Sequence, residues 1–152
     1  NAKEKTLSWI QIAYDFSSDD CQVELTSSDN KQISYRFVRL GDRYQLVSVE
    51  GSHCIPTTYE YEKALTKKIL PQGRFVAVEY TGDKVASIKL PHPMTGEEQT
   101  TYTFSYGTQY TDFFDAHRIR TRYRYDKNKR LSAIERYDEK DSLYKKEEKY
   151  WD

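Results

Sequence analysis

Polar and apolar side chains alternate along most of this chain. In Cys21-Gln-Val-Glu-Leu-Thr26, Cys21, Val23 and Leu25 fall on one side of an extended backbone and their neighbours on the other. A period of two is the signature of a strand with one covered face. Residues 6–14, the stretch around Ile33, Tyr35, Phe37 and Val38, and the stretch around Tyr44, Leu46, Val47 and Val49 read the same way. Polar clusters at 17–20 and 27–30, with Gly41-Asp42 and Glu50-Gly51, supply the turns between them.

Residues 57–70 depart from this rhythm. Thr57 and Glu60 have capping-box spacing, Tyr61, Leu65 and Ile69 recur every four residues, and Pro71 and Gly73 follow as stops. The spacing predicts one amphipathic helix over 57–70. Strands resume at 74–80, turn at Thr81-Gly82-Asp83, and continue at 84–90 and 99–106. Residues 107–116 read as a loop carrying Tyr110, Phe113 and Phe114. Strands at 118–125, 131–137 and 143–151 follow, joined by turns at 126–129 and 139–142. The expectation is a mainly β fold: an antiparallel meander of about nine or ten strands, as a curled sheet or sandwich, with one helix near 57–70 and a single domain over 1–152.

Composition changes the picture of the core. Tyrosine supplies 14 residues against 6 Phe and 2 Trp. The core is therefore built largely from rings whose hydroxyls need water or a partner. Lys+Arg and Asp+Glu are both 24, a balance that argues against a nucleic-acid partner. The charge is uneven: residues 117–152 hold 12 Lys/Arg and 8 Asp/Glu, a net of +4 against −4 for the rest. No apolar run is long enough for a transmembrane helix.

Cys21 and Cys54 form an even pair without C-x-x-C spacing, which excludes a recognisable metal site and leaves a disulfide or two core thiols. A bridge would imply a periplasmic or extracellular location. Asn1-Ala2 reads as the remnant of a cloning scar. The native segment then starts at Lys3 inside a longer precursor, trimmed of an export signal, with or without a lipid anchor, or of a neighbouring domain.

The four arginines Arg118, Arg120, Arg122 and Arg124 share one face of a strand, about 6.7 Å apart. Such a ladder needs neutralising charge. With a two-residue turn at Lys127-Asn128, Arg120 faces Glu135, Arg122 faces Ala133 and Arg124 faces Leu131. With a turn at Lys140-Asp141, Glu135 faces Lys146 and Ala133 faces Glu148. Tyr123, Tyr125, Ile134, Leu143 and Trp151 then make up the core side. Three readings stand for the ladder: a self-neutralised solvated face, a binding face for an acidic partner, or a nucleic-acid site with Tyr123 and Tyr125 as stacking platforms. Tyr110, Phe113 and Phe114 are either a plug over the end of the sheet or an aromatic anchor for a protein partner.

Tyr123-Arg-Tyr125-Asp126, Arg130-Leu131, Ile134, Asp138 and Tyr150-Trp-Asp152 resemble a single YD-repeat unit of Rhs-type and teneurin-type proteins. The resemblance covers about 30 residues and implies a tyrosine-rich hairpin meander without an activity. Lys129 stands where the repeat's turn glycine is usual.

No phosphate loop or zinc motif is present, and no cofactor is expected. Asp115-x-His117, with Asp112 near, is the one arrangement that resembles an oriented base. The leading expectation is a non-enzymatic exported protein that binds another protein, a toxin-neutralising immunity protein in its most concrete form. The alternatives are a structural or lipoprotein-like cell-envelope module, and a small hydrolase or ligand-binding domain using a cleft between helix and sheet.

Overall fold

The structure, a computed structural model, describes residues 8–16 and 18–151. Among these residues, thirteen strands follow one another in chain order in a single antiparallel meander. Successive hairpins suit this sequence because short turn clusters recur between alternating stretches, and antiparallel neighbours need only short connections. By contact, the chain divides into two compact units, 1–75 and 76–152.

The first unit holds β1 (Ile10–Asp15), β2 (Asp20–Ser27), β3 (Gln32–Leu40), β4 (Arg43–Gly51), β5 (Thr57–Tyr61) and β6 (Leu65–Ile69). The predicted helix over 57–70 is instead the β5–β6 hairpin. Tyr61 and Leu65 are cross-strand partners, and Thr58 pairs with Ile69. Across a tight turn, residues four apart face each other, so the spacing that suggests a helical stripe also fits a hairpin. The β-branched and aromatic run Thr57-Thr58-Tyr59 favours the strand.

Register in this unit sorts the side chains cleanly. Ile12, Leu25, Ile33 and Gly51 fall in one row, and Tyr14, Val23, Tyr35 and Val49 in the next. Cys21 and Phe37 continue the same apolar face. The other face carries Glu24, Ser34 and Glu50 in one row and Gln22, Arg36 and Ser48 in the next, with Arg36 in a two-pronged pair with Asp20.

The expected Cys21–Cys54 bridge does not form; both cysteines are free. Cys21 is buried in β2, whereas Cys54 is exposed beyond the end of β4, close to Gly51. Gly51 shares its row with Leu25, four residues along β2 from Cys21. That is about 13 Å of strand, well beyond the reach of a disulfide. In native protein, a thiol reagent is expected to label Cys54 at once and Cys21 only on unfolding, two thiols in all without reductant. Absence of titratable thiols in the denatured chain would contradict this.

The second unit holds β7 (Phe75–Thr81, whose first residue is the last of unit 1), β8 (Lys84–Pro91), β9 (Glu98–Tyr106), β10 (Tyr110–Phe114), β11 (Arg120–Tyr125), β12 (Leu131–Tyr137) and β13 (Leu143–Glu148). The segment read as a loop over 107–116 contains β10, paired with both β9 and β11. Its core is thin: Ala77, Ala133 and Tyr137 are the buried apolar residues, joined by buried Ser87, Asp112 and Glu135.

Candidate functional site

Two turns of one design frame the end of the arginine strand, and a third follows. In each, an aspartate accepts the backbone N–H groups two and four residues on. Asp115 Oδ1 takes His117 and Ile119, Asp126 Oδ1 takes Asn128 and Arg130, and Asp138 Oδ1 takes Lys140 and Ser142. The residue three after the aspartate turns left-handed: Arg118, Lys129 and Asp141, with φ of 62°, 61° and 59°. The Asp carboxylate satisfies amides the turn would otherwise leave unpaired, which makes a positive φ tolerable without glycine.

This geometry corrects the ladder in two ways. Arg118 is a turn residue outside β11, so three arginines rather than four line the strand. The turn at 126–130 is also centred on Asn128-Lys129, one residue later than Lys127-Asn128, which shifts the register by two. Arg122 pairs with Glu135 and Arg124 with Ala133. The second hairpin holds the expected register, with Glu135 opposite Lys146 and Ala133 opposite Glu148.

The result is an alternating row across five strands: Ser105, Asp112, Arg122, Glu135 and Lys146. Asp112 and Glu135 are only 6% and 5% exposed. Arg122 grips Asp112 with both prongs, Nε to Oδ1 at 2.7 Å and Nη2 to Oδ2 at 2.8 Å. Arg124 Nε donates to Glu135 Oε1 at 2.7 Å, and Tyr137 donates its hydroxyl to the other carboxylate oxygen at 2.9 Å. Arg120 reaches Asp141 at 2.9 Å and Asp112 at 3.7 Å. The Arg120 and Arg122 guanidiniums lie over the rings of Tyr137 and Tyr110 at 3.7 and 4.0 Å. Buried Arg120 Nε has no hydrogen-bond partner among the described residues, and its guanidinium has the Tyr137 ring face beneath it.

Electrostatics follow from these contacts. Burial pushes the Asp112 carboxyl up, but the hydrogen bonds and charge of Arg122, helped by Arg120, outweigh it and hold it below its ordinary value. The Arg124 hydrogen bond, aided by Tyr137, holds Glu135 down against its burial. Burial, and then Glu135, raises the Tyr137 phenol. Paired acid–base catalysis needs two carboxyls pushed apart, one of them upward. Here both are held ionised, which suits a structural ion network.

The core side also differs from expectation. Ala133, Glu135 and Tyr137 on the arginine side are the buried residues of β12, while Leu143 and Trp151 are about half exposed. Long arginine stems laid across the sheet cover that side as well as aliphatic side chains would.

The remaining candidates separate. Tyr110 lies on the arginine side, partner to Arg124 in register. Phe113 points to the other side, stacked on Tyr102 at 5.2 Å between ring centres and against Phe104 at 5.6 Å. Phe114, with Thr100, Thr101, Thr103, Asp115, Ala116 and Arg118, lines a cleft of about 560 Å³. His117 meets Asp115 through its backbone amide rather than its ring, and Asp112 is held by Arg122. With no helix at 57–70, the cleft expected between helix and sheet is absent among the described residues. Among those residues no cluster of three or more His, Cys, Asp or Glu could hold a metal, and no helix is long and apolar enough to cross a membrane.

Sequence reasoning missed an exposed apolar face. On unit 1, Ile10, Ile12, Tyr14 and Ile33 are 70%, 59%, 72% and 40% exposed and share one face. Phe16 extends the ring cluster, lying 5.9 Å from Tyr14 and 5.8 Å from Tyr44. The signal is in the sequence: Ile10-Gln-Ile-Ala-Tyr14 alternates without a single charge. Alternation shows which residues share a face but not whether another layer covers it. No known family model matches this chain, and no curated protein is similar to it in sequence.

Proposed function

We propose that this chain is a non-enzymatic, exported protein-binding domain, in its most concrete form an immunity protein that neutralises a bacterial toxin. The observation that carries the reading is the uncovered apolar face of β1–β3, with Ile10, Ile12, Tyr14 and Ile33 in the open. Contiguous apolar surface is costly in water and marks recognition sites on soluble proteins. The opposite face of the same strands is polar and carries the Asp20–Arg36 ion pair. Arg120 and Arg122 are committed within unit 2, so recognition falls to the apolar face of unit 1.

Capture of the product of a neighbouring gene tests this. The wild-type chain is expected to form a complex, and Ile33→Lys to weaken it at least roughly tenfold, with an unchanged far-UV spectrum. No complex with any neighbouring or co-secreted protein would overturn the reading.

A further inference from the structure

Among the described residues, β1 is unguarded in its backbone as well as its side chains. It stands at the end of the strand order and, among the described residues, pairs with β2 alone. Ser28 N–H donates to the Trp9 carbonyl at 3.0 Å. The odd-numbered residues of β1 therefore turn their backbone groups to β2. Alternation turns the N–H and C=O of Ile10, Ile12 and Tyr14 to the open edge. Their side chains are the exposed apolar ones. Natural edges are blunted by lysine, proline or a bulge, and Ile10–Tyr14 contains none of these.

The other terminal strand shows the contrast. In β13, Lys149 N–H donates to the Ser132 carbonyl, so Tyr144, Lys146 and Glu148 face outward through their backbones. A lysine sits at the centre of that edge.

We propose that β1 pairs antiparallel with β1 of a second copy of this chain, about a two-fold axis at Ile12. In this register Ile12 meets its own counterpart, Ile10 meets Tyr14, and Asp15 meets Trp9. A two-fold contact must be self-complementary, and here no charge meets a like charge. The equivalent contact on β13 sets Lys146 against Lys146. Charge thus favours β1 over β13, and the β1 register is self-complementary, as a second copy requires. Directly opposed side chains lie on one face of an antiparallel pair. Pairing therefore joins the apolar faces of two copies side by side and leaves them open. The inference stands independently of the partner proposed above.

Sedimentation and light scattering of the full chain over a range of concentrations test it. The expected result is a concentration-dependent dimer. Ile12→Lys, which opposes two charges on the axis, weakens it at least roughly tenfold. Ile12→Pro does the same by removing an outward N–H without touching a β1–β2 bond. Gln11→Lys, on the other face, leaves the dimer intact. In the wild-type chain, amide exchange of Ile10, Ile12 and Tyr14 slows as concentration rises, while that of Gln11 and Ala13 does not change. A monomer at every concentration, a dimer indifferent to both Ile12 variants, or open-ended growth would overturn the proposal. Loss of partner capture in a chain that still dimerises would remove only the partner reading.

Discussion

Asp112→Ala is expected to destabilise unit 2 by about 3 kcal/mol and to lower its melting temperature by roughly 12–24 °C. The size follows from what the substitution leaves behind. Arg120 and Arg122 have side chains only 16% and 17% exposed, and both point at Asp112. Without the carboxylate they become two like charges in a poorly hydrated place, which costs more than the pair itself is worth. Arg122→Met in the Asp112→Leu background is expected to recover part of the loss, with a coupling of about 2 kcal/mol in the double-mutant cycle. Simple additivity of the two single changes would contradict the pairing. The same network sets an acid limit. Asp112 and Glu135 have folded values held below their unfolded ones. Their stabilisation is therefore complete above the unfolded values and lost as pH falls through the folded ones. The melting temperature of unit 2 should hold steady from neutral pH down to the ordinary glutamate value of 4.5 and decline below it. The decline should be shallower in Asp112→Asn, which leaves only the Glu135 share.

Gly107→Ala is expected to cost about 2 kcal/mol, although alanine is the smallest possible addition. A Cβ at Gly107 runs into the Tyr110 ring, with Cδ1 at 2.7 Å and Cε1 and Cζ nearer still. Gly107 N–H also donates to the Tyr110 carbonyl at 2.9 Å, which pins the two backbones together. The ring cannot yield without leaving the Arg122 guanidinium stacked on it. Thermal melts of Gly107→Ala, Tyr110→Ala and the double variant check this. Once the ring is gone, the added methyl should cost little; an equal cost in both backgrounds would place the strain elsewhere.

How much of this was legible in the sequence depended on whether a local rule had one outcome. Alternation at Cys21–Leu25 and the tight turns at Gly41 and Gly82 each have a single reading, and those strands lie where expected. Tyr61 and Leu65 had two readings, helix face or hairpin pair, and spacing alone cannot choose between them. The first hairpin register turned on whether the turn is centred on Lys127-Asn128 or on Asn128-Lys129, and the turn types of these polar residues do not decide that. The second kept its register. Asp112 was visible, but its role was not: without β10 recognised as a strand, nothing placed it beside Arg122. The uncovered face of β1–β3 was the hardest to read, because sequence periodicity assigns faces without saying what covers them.

The β11 arginines are neutralised from within unit 2. Residue-resolved modification of the folded chain by phenylglyoxal, followed by mass spectrometry, tests this most directly. The expected result is rapid labelling of Arg118, slower labelling of Arg124, and protection of Arg120 and Arg122 until the domain unfolds. Equal labelling of all four in the folded chain would contradict it.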